Sequence, residues 1–208
     1  MSLRWPLSSI AGVAVIVLYC AFTFTSWALY PTAYNPATNW LSDLGNSSLN
    51  PNGSIFYNLG CILAGIALFP MFIGLYRWYT NENWRNASLV ATQVIGCVAA
   101  FSLIMIGVFS EDYGWVHSSW SSAFFVLNLL VLILLGVSLF THPSCIRPIA
   151  YYGFTVAIIN LVFVLLSDTP ILEWFTVFSA LGYVGLLAYN MLARALAWRG
   201  RTNSTKEQ

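Results

Sequence analysis

The chain has 208 residues, of which 59% are hydrophobic, 16% aromatic and only 7% charged. Soluble domains carry about 25% charged residues, so this composition excludes a soluble globular protein and marks an integral membrane protein. A formal net charge of +1, from eight Lys or Arg against seven Asp or Glu, gives no ground for a nucleic-acid partner.

Crossing roughly 30 Å of hydrocarbon takes about 20 apolar residues at about 1.5 Å each. Six stretches meet that length: Ser8 to Tyr30, Ser54 to Arg77, Ala87 to Phe109, Ser119 to Thr141, Ile149 to Ser167 and Ile171 to Trp198. Backbone groups inside lipid must be satisfied within the segment, so each is expected to be a helix, and the short alternating strands of a barrel are missing. The expected fold is all-α, a six-helix transmembrane domain over residues 1–198 with a basic, disordered cytoplasmic tail at 199–208. The first stretch is too long for a signal-peptide core and is expected to stay as a membrane helix.

Orientation follows from the basic residues. Arg4, Arg77, Arg85, Arg147, Arg194, Arg199, Arg201 and Lys206 fall in the termini or in the second and fourth loops, while the first, third and fifth loops carry none. The positive-inside rule then puts both termini in the cytoplasm of a multi-pass cell-membrane protein. Asp43, Glu111, Asp112, His117, Asp168 and Glu173 lie in or beside the outer loops. His142, near the inner end of the fourth helix, is explained by the helix dipole, which favours a cationic imidazole there.

The first outer loop, from Pro31 to Gly53, is expected to hold a short interfacial helix. Asn35 suits its N-cap, Pro36 its first position and Gly45 the residue past its end. Trp40, Leu41 and Leu44 form an apolar strip, with Trp40 at headgroup depth, and Asn39 and Asp43 share the polar face. Gly60, Ala64 and Gly65 on the second helix, and Gly182 and Gly185 on the sixth, allow other helices to approach closely. Gln93, Asn128, Asn160 and Asn190 are expected to hydrogen-bond between helices at about 1 kcal/mol each. Cys20, Cys61, Cys97 and Cys145 are scattered, without a CxxC pair or a disulfide framework, and the first three, inside apolar runs, read as small hydrophobes.

The candidate chemistry lies on the outer side. Glu111, Asp112 and His117 fall within a short connection, and carboxylate with imidazole is a set that binds Zn²⁺ or transfers protons. Asp43, Glu111 and His117 are the candidate catalytic residues. With Asp168 they are also the candidate metal ligands, Zn²⁺ being the ion such a set would hold. Each has a structural alternative: Asp43 closing a turn, Asp168 capping the sixth helix, the loop carboxylates solvated. Ser118, Ser119, Ser121 and Ser122 open the fourth helix, without the GxSxG elbow of a serine nucleophile. The helix centres hold no Lys, Arg, Asp or Glu, which argues against a proton-coupled transporter.

The Leu41-Ser42-Asp43-Leu44-Gly45 segment, with Asn39, Pro51, Phe56-Tyr57-Asn58 and the Glu111 to His117 loop, resembles the six-helix membrane proteins of the domain of unknown function 998 family over nearly the whole chain. That resemblance implies the topology and a prokaryotic, often archaeal, source, and no established activity. Ser42, Asp43 and Gly45 are also similar to the DRAM-type family, a pointer to lipid-related roles. The expected function is a lipid-related scaffold or sensor whose partners are membrane lipids. The alternatives are a metal-assisted hydrolase or transferase acting on lipid headgroups at the outer face, and a small transporter or channel; oligomeric state is left open.

Overall fold

The computed structural model describes residues 6–166 and 169–204. Among these, six α-helices are long and apolar enough to cross a membrane. They are α1 (Leu7–Ala28), α2 (Ser54–Ile73), α3 (Asn83–Val108), α4 (Trp115–Phe140), α5 (Arg147–Leu166) and α6 (Pro170–Ser204). A 3₁₀ turn at Gly74–Trp78 extends α2. Each helix packs on its sequence neighbours and α6 returns to α1, so the six close into a ring.

Close approach at small residues shapes the ring. A Cβ at Gly60 would meet Phe22 of α1 at 2.7 Å, and one at Gly65 would meet the Ala100 carbonyl of α3 at 2.9 Å. Either side chain would force the helices apart. Inside the ring lies an apolar cavity of about 90 Å³ lined by residues of α1, α2, α3, α4 and α6. On the outside, Ile10, Val13 and Val17 of α1 and Ile158, Leu161 and Leu165 of α5 are exposed, as the lipid-facing side of a membrane bundle requires.

Three expectations change. Helix α4 starts a turn earlier than the apolar run suggests, because Gly114, at φ +53°, supplies the bend and frees Trp115 to begin the helix. His117 therefore sits in a first helical turn rather than in a loop. Helix α6 continues through 199–204, so that part of the expected disordered tail is helical; 205–208 lie outside the described residues. Gln93 does bond between helices, donating to the Ile73 carbonyl at 2.7 Å, but the buried amides of Asn160 and Asn190 meet no partner among the described residues.

The two ends of the bundle differ in charge. At the basic end, Trp78 is fully buried with the Arg194 guanidinium 4.4 Å from its ring centroid. His142 Nε2 donates to the Trp78 carbonyl at 3.1 Å and its Nδ1 accepts from the Ser144 N–H at 3.1 Å. Burial, then the Arg194 charge, pushes this imidazole down to about 4 despite the Trp78 carbonyl. The helix dipole is outweighed, and His142 is a neutral structural residue. The four cysteines are free thiols.

Candidate functional site

At the acidic end the first loop folds over the ring. Its expected single helix is two pieces. Asn35 Oδ1 accepts the Ala37 N–H at 3.0 Å and the Asn35 carbonyl accepts Asn39 N–H at 2.8 Å, closing one turn. The chain then extends at Trp40, where Asp43 Oδ2 accepts the Trp40 N–H at 2.9 Å and caps a separate 3₁₀ helix, Leu41–Gly45. That side-chain bond breaks the helix at Trp40, since it holds the residue in an extended conformation. Leu41 and Leu44 are fully buried in the bundle instead of lying along its surface.

The Leu-Ser-Asp-Leu-Gly segment is thus a plug, with a polar clamp behind it. Asn50 Nδ2 donates to the Leu44 carbonyl at 3.0 Å and to Ser26 Oγ at 2.9 Å, and Ser26 Oγ donates to the same Leu44 carbonyl at 3.0 Å. Asn58 Nδ2 donates to the Gly45 carbonyl at 3.0 Å. The near side is held by aromatics: Tyr34 packs between Trp27 and Trp174, with centroids at 5.3 and 5.9 Å, and its hydroxyl donates to the Trp40 carbonyl at 2.6 Å.

Carboxyl groups gather beneath the plug. Glu173, in the first turn of α6, is buried and accepts the Leu41 N–H at 2.6 Å. Glu111 lies within hydrogen-bonding reach of Asp43, and its Oε1 accepts from Ser42 Oγ at 3.4 Å. Burial raises Glu111 above the usual carboxylate range, and the neighbouring Asp43 charge raises it further. Burial also raises Asp43, against the Trp40 N–H and the Asn39 and Glu111 side chains. Glu111 Oε2 is buried and meets no donor among the described residues. Neighbouring carboxyls resist joint ionisation, so each favours the protonated form of the other.

His117 is placed differently. Its Nδ1 donates to the Phe109 carbonyl at 2.8 Å, satisfying a group left open by the end of α3 and fixing the tautomer with Nε2 as the acceptor. Asp112 turns to the first loop, accepting Ser47 Oγ at 2.9 Å and Ser110 Oγ at 2.7 Å. Partial burial pushes Asp112 up, but the bonds from Ser110 and Ser47 outweigh it and leave the carboxyl below its ordinary value. Ser118 and Ser119 donate to the Gly114 and Trp115 carbonyls at 3.2 and 2.8 Å, the back-bonding of helical serines.

Of the four candidate ligands, Asp43 and Glu111 come together, His117 joins Glu111 only in the lining of one cleft, and Asp168 lies outside the described residues. Among the described residues no three His, Cys, Asp or Glu side chains have the arrangement of a metal site. The residue the sequence analysis passed over is Glu173. Its only signal was a carboxylate one turn inside an apolar helix, where the usual reading is favourable interaction with the helix N-terminus.

The cleft has a volume of about 540 Å³ and a lining of mixed chemistry. Glu111, Glu173, Ser42, His117, Ser118, Ser121 and Ser122 supply its polar side chains, and Trp40, Phe125, Val126, Phe163 and Val164 its apolar ones. Such a space receives a molecule with a hydrogen-bonding head and a hydrocarbon body. Residues 13–199 match a family described as protein of unknown function (DUF998). No curated protein and no solved structure matches the chain.

Proposed function

We propose that this protein, which belongs to the DUF998 family of proteins of unknown function, binds the amine head of a lipid-like amphiphile in the cleft at its acidic end. The carrying observation is that the lining of that cleft combines carboxyl and hydroxyl groups with a set of apolar side chains. Glu111 Oε2 is buried without a donor among the described residues and the Asp43 carboxyl is its neighbour, so an ammonium group would find unmet acceptors there. The loops at this end contain no Lys or Arg to pair with a phosphate. The proposed orientation puts the acidic end outside the cell, in keeping with the basic residues at the other end. On this reading the protein is a binding or sensing component of the membrane.

The test uses dodecylamine as probe and dodecyl phosphate as the chain-matched control, with the protein in nanodiscs. Binding to the folded state raises Tm by mass action. Dodecylamine should raise Tm in wild type and not in Glu111→Gln, and dodecyl phosphate should have no effect. Equal shifts in wild type and variant would overturn the reading.

A second reading, a hydrolase or transferase acting on lipid headgroups, is favoured by the Asp43–Glu111 pair, because a carboxyl dyad sharing one proton can supply both acid and base. It would be carried by the dyad rather than by a metal ion, for which only two of the candidate ligands converge. Turnover of an amine-headed lipid, lost in both Asp43→Asn and Glu111→Gln while binding persists in one of them, would favour it over binding alone.

A further inference from the structure

We propose that the central cavity of the helix ring takes the alkyl chain of the amphiphile, with the Phe125 ring as a movable partition between head and chain. The inference rests on the head-binding reading above. Phe125 lines both the cleft and the central cavity. It is buried, in edge contact with Phe163 of the cleft at 4.6 Å between centroids and with Phe124 of the cavity at 5.4 Å. One side chain therefore stands between a polar-headed space and an apolar one, and rotation of a single ring would join them.

Two routes are open to a chain leaving the cleft. One runs along the outside of the bundle past Val126 and Val164, into lipid. Hydrocarbon gains nothing there, since lipid tails are as apolar as leucine side chains. The other runs inward past Phe125 toward Leu103, Leu132 and Leu181, which line the cavity. A chain on that route restores dispersion contacts that the cavity lining lacks. An apolar cavity of about 150 Å³ takes up benzene, so the cavity of about 90 Å³ holds a chain end of a few methylenes. From Phe125 to Leu132 the axial distance is about 10 Å at the α-helical rise, within the span of a twelve-carbon chain. The route makes the site selective for a single straight chain of sufficient length.

The experiment uses dodecylamine carrying a diazirine at its far end, photolysed with the full-length protein in nanodiscs, with labelled residues mapped by mass spectrometry. Labelling at Leu103, Leu132 or Leu181 that excess plain dodecylamine competes away supports the route. Phe125→Ala should increase that labelling, and Ala180→Phe, which fills the cavity without touching the cleft, should abolish it. Competed labelling confined to Val126, Val164 and other lipid-facing residues would overturn the route and leave the head-binding reading standing. Labelling that is neither competed by dodecylamine nor lost in Glu111→Gln would overturn both.

Discussion

Asn58 and Gly45 face each other so closely that a Cβ on Gly45 would lie 2.5 Å from Asn58 Oδ1, while the Asn58 amide donates to the Gly45 carbonyl at 3.0 Å. Gly45→Ala must push the 3₁₀ segment away from α2. Overpacking of this kind costs about 1–3 kcal/mol. The expected result is a lower Tm and faster proteolysis between Pro36 and Gly45, with Asn58→Ala partly restoring the double variant by making room. A Tm unchanged by Gly45→Ala would mean that the plug is not docked as described.

Glu173 should behave as an acceptor for the plug. Glu173→Gln keeps an oxygen for the Leu41 N–H, so its effect on stability should be small. Glu173→Leu leaves that buried N–H unmet, at a cost of about 1–3 kcal/mol. Hydrogen exchange at the Leu41 amide reports the difference directly: accelerated in Glu173→Leu, near wild type in Glu173→Gln.

Stability of the docked loop should vary with pH in a defined sense. Asp43 and Glu111 have raised values, so the fold favours their protonated forms. Their contribution is complete below about 4, where free carboxyls ordinarily titrate, and is lost as pH rises through the raised values. Asp112 has a lowered value, so its contribution is present above the ordinary aspartate range and is lost as pH falls through its folded value. Protection factors across residues 41–49, which divide out the base-catalysed intrinsic rate, should thus fall as pH rises above the ordinary carboxylate range, and Glu111→Gln should flatten that fall.

Sidedness is tested in a background with the native cysteines replaced. A cysteine at Tyr113 should react with an impermeant maleimide on intact cells, and one at Asn83 should react only after permeabilisation. Both positions are exposed in the structure, so reactivity reports the side and not burial. The reverse pattern would move the cleft to the cytoplasm.

The helices were legible because each apolar run is as long as a bilayer is thick, and the first loop was legible as an ordered cap from Asn35, Leu41, Leu44 and Gly45. Its break at Trp40 was not, because it depends on one hydrogen bond from the Trp40 N–H to Asp43 that competes with helix continuation. Neither Asp112 nor His117 could be separated from Glu111 by spacing, since the three side chains part only in the folded chain, Asp112 to Ser47, His117 to Phe109 and Glu111 to Asp43. Glu173 joins the site through ring closure, a long-range relation that periodicity does not contain.

The closing of α6 onto α1 has a consequence for how the protein is made. The Leu41 N–H and the Glu173 carboxyl that accepts it are 132 residues apart, which at about 5–20 residues per second of synthesis is a wait of about 7–26 s. During that interval the first hairpin is in the membrane with its plug segment lacking a last partner and with no wall of α6 beside Tyr34. The acidic end is completed only once α6 has been made, so a chain truncated before α6 should insert its earlier helices and yet fail to retain the 3₁₀ cap. For this protein, quality control at insertion would see a missing α6 as an open lid.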